Sequence, residues 1–328
     1  MSKKILVTGG TGFLGSYILA ELILHGYSVR AIRRTAKDIA WIDPAILKQV
    51  EWVEGDILDI VSLEEAMEGM DAVIHAAALV SFFRKDKEAL YQINTEGTTH
   101  VVNAAIEKKV KRLVHISSVA ALGRKAGGHL VNEGAKWEES PLQTHYGRSK
   151  YKGELQVWRG YSEGLDTVIL NPSTILGYGD WNQSSCAIFK QIHDGFVWYT
   201  TGLNGFVAVK DVARATRLLL ETGNSGERYI VNGDTWYFRD LQNAIAEGFG
   251  KQKPSKKAGP LLLGLAWRLE ALKSVITGKK PLLTKETARV AISQTRFENK
   301  KILEALPGFR FTPLSESIKE ACEKYLSH

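Results

Sequence analysis

Through residue 171 the chain repeats one pattern: a short, mostly apolar run, then a longer stretch with apolar residues at helical spacing. The runs are KILVT (4–8), SVRAI (28–32), VEWVE (50–54), DAVIHA (71–76), RLVHIS (112–117) and TVILN (167–171). Their continuous apolar character suits strands covered on both faces. Helical stretches such as YILAELILHG (17–26) and TTHVVNAAIEKK (98–109) lie between them. Alternation of this kind predicts an α/β fold with a doubly wound parallel sheet over residues 1–172.

After NPSTILGYGD (171–180) short segments rich in Trp, Tyr and Phe break the alternation. The stretch KDVARATRLLLE (210–221) still reads as a cover for the sheet, so the remainder, 173–328, is expected to form a smaller, partly interwoven lobe. This lobe is expected to be mainly helical, as is the C-terminal third of the chain, punctuated by Pro254, Pro260, Pro281 and Pro307. Within it, GPLLLGLAWRLEALKSVITGKK (259–280) presents a Leu-rich face. A core-facing or homodimer-facing helix is the commoner reason for such a face. A membrane surface is disfavoured, because the polar face of this helix is only weakly basic.

Composition narrows the class. With 44% hydrophobic and 24% charged residues, the 328-residue chain reads as a soluble globular protein with a sizeable core. The net charge of +7 raises nucleic acid as a partner. However, basic residues are mostly mixed with acidic ones, and the densest run, KQKPSKK (251–257), lacks the aromatics of a stacking platform. No nucleic-acid partner is expected. Cys186 and Cys322 give neither a disulfide framework nor metal-ligand spacing, so no metal is expected either. No stretch has the length of a membrane span, and the N-terminus does not read as a signal peptide, which points to the cytoplasm.

Chemistry enters at VTGGTGFLG (7–15), which follows the first apolar run and opens a helical one. Glycines in that context permit a tight turn and let the backbone approach a pyrophosphate, which the helix N-terminus stabilises. Gly9, Thr11, Gly12, Phe13, Leu14 and Gly15 are therefore candidate dinucleotide contacts in a Rossmann domain. An acidic residue at the end of the second strand would bind the 2′-hydroxyl of NAD. This chain carries Arg33 and Arg34 there, which suit the 2′-phosphate of NADP; Asp38, the nearby acid, leaves NAD open.

The stretch THYGRSKYKGE (144–154) sets Tyr146 and Lys150 four apart, on one helix face. Alone, such a pair is usually a solvated surface. Near a dinucleotide it becomes an acid/base candidate, and Ser117 and Ser118 end a strand where an open α/β sheet binds its ligand.

Taken with GDI (55–57), HAAA (75–78), NTEGT (94–98), ISS (116–118), YGRSK (146–150) and NPSTILGYGD (171–180), the chain resembles an extended short-chain dehydrogenase/reductase. GYSVRAIRR (26–34) and Asn171-Pro172 are similar to its dihydroflavonol-reductase-like branch. The resemblance implies Tyr146 as catalytic acid/base, Lys150 as its activator and nicotinamide-ribose ligand, and Ser118 as partner of the substrate oxygen. It implies Asn94 as support for the active-site helix, with a plain structural cap as the other reading. Asp56 and Ile57 are the implied adenine contacts, Ala76, Ala77 and Ala78 the loop beside ribose and nicotinamide, and Pro172 and Ile175 further cofactor contacts.

The expected activity is NADP-dependent carbonyl reduction or its reverse. Dehydration is disfavoured because Val119-Ala120 stands where an acid pair is expected. A nucleotide-sugar epimerase with tightly bound NAD and a non-catalytic dinucleotide sensor are the alternatives. Phe82, Trp181 and Tyr199, with Phe83, Trp198, Phe206 and Trp236, suggest a small apolar or aromatic substrate if they line the cleft; core packing is the ordinary role of such residues. Cys186 reads as a small buried hydrophobe.

Overall fold

A computed structural model describes residues 2–123, 130–140 and 142–327. Seven strands form the main sheet: β1 (Lys4–Thr8), β2 (Ser28–Arg33), β3 (Glu51–Glu54), β4 (Ala72–His75), β5 (Arg112–Ile116), β6 (Asp166–Pro172) and β7 (Glu227–Val231). They lie in the order β7-β6-β5-β4-β1-β2-β3, and every pairing is parallel. The order reverses between β1 and β4, which opens a crevice at the carboxyl ends of those strands.

Strand periodicity explains why both faces are covered. Ile5 and Val7 point into one apolar cluster with Val114 and Val168, while Leu6 points into the other with Val73, Leu113 and Ile169. Helices Phe13–Leu24 and Val209–Thr222 cover the first face; Ile60–Met67, Gly97–Glu107 and His145–Ser162 cover the second. Each fully buried aliphatic side chain stabilises the sandwich by about 1.5–3 kcal/mol.

The expected division at 172 is crossed twice. Helix Val209–Thr222 packs on Phe13–Leu24, with Arg217 Nε 2.8 Å from Glu21 Oε1. The run ERYIV then returns as β7 beside β6, pairing Ile230 with Asn171. That strand is as apolar as the other six but sits among aromatic-rich segments without the regular alternation. The C-terminal lobe is mainly helical, as expected, and also holds a small three-stranded sheet. Leu203–Ala208 pairs with Thr174–Leu176 and Asp234–Tyr237 over a third cluster that includes Phe189, Phe206, Ile245 and Tyr325. Among the described residues no helix is long and apolar enough to cross a membrane.

Candidate active site

The crevice is built from two loops locked together. After β1, Gly12 N donates to the Gly9 carbonyl (3.0 Å), closing the turn that starts helix Phe13–Leu24. Gly9 has φ +74°, and a Cβ there would lie 2.5 Å from the Ala77 nitrogen; one on Gly15 would lie 2.1 Å from the Gly9 oxygen. Only glycine permits these approaches. Thr8 joins the loops: its carbonyl accepts from Ala76 N (3.2 Å), and its hydroxyl accepts from Ala77 N (3.3 Å). Gly12 caps the helix without a side chain, leaving the first-turn N–H groups of Phe13, Leu14 and Gly15 to a ligand. A glycine-walled cradle at an uncapped helix N-terminus fits a dinucleotide pyrophosphate. Thr11 lies in the same turn, and Ala78 continues the facing loop.

At the ends of β2 and β3 the Arg33 guanidinium lies over the Trp52 ring, 4.8 Å from its centre. Arg34 is largely exposed and 4.0 Å from Asp56 Oδ2, whose other oxygen accepts from Leu58 N (3.0 Å). Ile57 turns into the second apolar cluster, so any adenine contact there falls to its backbone. Asp38 is exposed beyond β2. Pro172 ends β6, buried, and Ile175 packs partly against the first apolar cluster.

Helix His145–Ser162 carries Tyr146 and Lys150. Thr144 caps it, accepting from Gly147 N (2.9 Å). A Cβ on Gly147 would lie 2.8 Å from the Ala120 oxygen, so this glycine lets the helix rest on the turn Val119–Leu122. Ser118 caps that turn, accepting from Ala120 N (3.1 Å), and its hydroxyl lies on the side of the Tyr146 phenol. Burial raises the phenol pKa above its ordinary value, and the neighbouring Ser118 hydroxyl opposes the rise. Ser117, one residue earlier, is buried with its hydroxyl unpartnered.

Lys150 is 2% exposed, which rules out the solvated-face reading. Its ammonium donates to the Ile116 carbonyl (2.8 Å). Burial lowers its pKa to about 8, against the Glu154 carboxylate, which raises it. Asn94 lies in the π-turn Gln92–Glu96 with its amide fully engaged. The nitrogen donates to Leu79 O (2.9 Å) and Ser149 Oγ (2.9 Å), and the oxygen accepts from Leu79 N (2.7 Å). It clamps the loop after β4 to the Tyr146 helix. Phe82, from that loop, meets the Tyr146 ring edge-on at 5.8 Å.

The aromatic candidates divide. Trp181 stacks on Tyr325 at 5.2 Å inside the C-terminal lobe, and Phe206 is wholly buried there; both do packing work. Tyr199 is half-buried under the Arg239 guanidinium (4.6 Å). Cys186 is buried, with its thiol pushed up to about 12 by burial.

Sequence reasoning missed a buried relay behind Lys150. Glu154 accepts from Asn171 Nδ2 (2.5 Å) and Arg228 (3.3 Å), and Asn171 Nδ2 also donates to the Ser118 carbonyl (2.9 Å). Arg228 is held by the carbonyls of Glu133 and Ala135, both at 2.8 Å. The four-residue step from Tyr146 to Lys150 to Glu154 was a usable signal, since all three share a helix face. Nothing local pointed to Arg228, which arrives on β7. Also missed was His75, buried between Thr8 Oγ1 (2.7 Å) and Thr98 Oγ1 (3.0 Å) and 5.1 Å from the His115 ring.

Residues 5–232 match the model of the NAD dependent epimerase/dehydratase family. The chain belongs to that family. It is an NAD(P)-dependent enzyme of the extended short-chain dehydrogenase/reductase type. It is 30% identical to a putative dihydroflavonol 4-reductase from Synechocystis sp., over 100% of this chain and 96% of the relative. It is 33% identical to sterol demethylase protein B from Methylococcus capsulatus, over 79% and 78%. Among solved structures, gox2253 superposes with a TM-score of 0.83 at 28% identity, covering 100% of this chain and 99% of that one. UDP-glucose 4-epimerase from Thermotoga maritima superposes at 0.79 and 21% identity over 99% of each chain, a likeness of fold.

Proposed function

We propose that this family member is an NADP-dependent reductase of a carbonyl on a small apolar or aromatic substrate, or, in reverse, oxidises the corresponding alcohol with NADP. The observation that carries the reading is the buried Lys150, bonded to the Ile116 carbonyl, one helical turn from Tyr146 on a helix that rests on the Ser118-capped turn. When bound, the nicotinamide supplies the hydride that the carbonyl carbon receives. Ser118 and Tyr146 donate hydrogen bonds to the carbonyl oxygen, and Tyr146 delivers its proton as negative charge develops there. The raised pKa keeps the phenol protonated at neutral pH, the form that reduction requires. Lys150, charged below about pH 8, favours the phenolate that forms as the proton leaves and anchors the nicotinamide ribose. Arg33 and Arg34 receive the 2′-phosphate, and Phe82 offers an apolar wall beside the phenol. The relative named as a dihydroflavonol reductase supports net carbonyl reduction.

The test is a panel of ketones and aldehydes with NADPH, followed by nicotinamide absorbance and product analysis. One reduced cofactor should disappear per alcohol formed, and Tyr146→Phe should abolish it. Interconversion of nucleotide sugars with no net cofactor consumption would overturn the reading.

A further inference from the structure

The C-terminal lobe carries an apolar surface that neither the fold nor the active site uses. Helix Pro260–Thr277 buries only Leu263 and Ser274, with Trp267 partly covered on the same side. On its outer side Leu261 (92% exposed), Leu265, Leu269, Leu272 and Ile276 follow helical spacing, an uninterrupted apolar stripe four turns long. Leu282, just beyond the helix, is also exposed. A contiguous exposed patch of large apolar side chains marks an interaction site.

Charge decides what covers it. Residues 251–289 hold ten Lys and Arg against two Asp and Glu, a surplus of eight, whereas the whole chain has a surplus of seven. The segment that contains this helix therefore carries a surplus as large as the net charge of the whole chain, with Lys253 and Lys280 paired to Glu247 and Asp86 outside it. The expectation of a weakly basic face holds for the helix itself, where Arg268 and Lys273 accompany Glu270, but not for its flanks Lys256, Lys257, Lys279, Lys280 and Lys285. A second copy packed on the stripe would bring the same basic flanks together.

We propose that this helix docks the enzyme on the surface of a bilayer containing anionic phospholipid, lying in the interface with its leucines among the acyl chains and its lysines at the headgroups. The segment that follows the helix reaches the loop beside the candidate active site. Lys280 Nζ bonds Asp86 (2.8 Å), and Asp86 accepts from Ser81 Oγ (2.7 Å) in the loop carrying Phe82. Docking therefore holds the Phe82 side of the cleft near the lipid.

Flotation of the full chain with vesicles tests this without any assumption about the reaction. Vesicles of phosphatidylglycerol and phosphatidylethanolamine should carry most of the protein, and phosphatidylcholine vesicles several-fold less. Raising salt from about 0.1 M to about 1 M, which shortens the screening length from about 10 Å to about 3 Å, should release most of it. Leu265→Glu/Leu272→Glu and, independently, Lys257→Glu/Lys279→Glu should each cut the bound fraction by roughly tenfold while NADPH affinity, the check on folding, stays unchanged. No flotation with anionic vesicles, or equal flotation with neutral ones, would overturn the proposal. So would a wild-type dimer that Leu265→Glu/Leu272→Glu turns into monomer, since a second copy would then cover the stripe.

Discussion

The active-site helix and helix Pro260–Thr277 are both 18 residues long, and they break the usual partition of side chains in opposite ways. The first buries charge: Lys150 and Glu154 are 2% and 1% exposed, with Asn94, Asn171, His75 and His115 buried around them. The second exposes leucine. A buried polar group or an exposed apolar patch carries more information than the ordinary arrangement, because each costs free energy that folding alone does not recover. In the first region hydrogen bonds to Lys150, Glu154, Asn94 and His75 offset much of that cost, although the His115 ring and the Ser117 hydroxyl stay unpartnered. In the second none of the described residues does, so the compensation has to come from outside.

That contrast is open to attack, starting where the largest effect lies. Tyr146→Phe removes the proton donor but no packing volume, so turnover should fall by about 10²–10⁴-fold with NADPH affinity nearly unchanged. Steady-state kinetics and a binding titration check both halves; full activity would remove the phenol from the chemistry. Next comes the cofactor end. Replacing Arg33 and Arg34 together with alanine should weaken NADPH binding by about tenfold or more, since a well-formed charge-assisted contact contributes about 1.5–3 kcal/mol, and should barely move NADH. Equal binding of both cofactors by the wild type would make these arginines surface charge.

The buried histidines sharpen the comparison through pH. Burial holds His75 near a pKa of about 3 and His115 well below 6.5, with Lys150 adding to both shifts. The unfolded chain takes up their protons below about pH 6.5 while the folded chain does not. Stability present above that pH is therefore lost as pH falls toward the folded values. Melting temperature should drop between pH 7 and pH 4, and His115→Phe, which removes a ring with both nitrogens unpartnered, should flatten the slope. An unchanged slope would mean that this ring is not titrating against burial. The smallest effect belongs to the exposed helix. Leu265→Glu should change stability by no more than about 0.5 kcal/mol in a denaturant titration, because the side chain is already in water. A loss of several kcal/mol would show that the leucine face is covered in solution.

The parts legible in the sequence are those written in local spacing. Six apolar runs marked six of the seven main strands, the glycines after the first marked the cradle, and the step from Tyr146 to Lys150 marked the shared face. β7 was missed because its run, ERYIV, opens on two charged residues and lies among aromatic-rich segments, although the helix Val209–Thr222 before it was read as a cover for the sheet. The substrate aromatics were legible only as a composition. Phe82 lies against Tyr146, whereas Trp181 and Phe206 fill the C-terminal lobe. No spacing rule separates a cleft aromatic from a core one.

By itself the sequence determined which segments are strands and helices and which residues could do chemistry, because periods of two and of about 3.6 residues are local properties of the backbone. Tertiary structure alone decided what those residues meet. Arg228 reaches Glu154 only because β7 lies beside β6, 74 positions along the chain from its partner, and Lys280 reaches Asp86 across 194. The same holds for the leucines of 261–276. Their helix was evident from the pattern, but whether a helix face is covered depends on which other elements come to pack on it. Here, none of the described residues does.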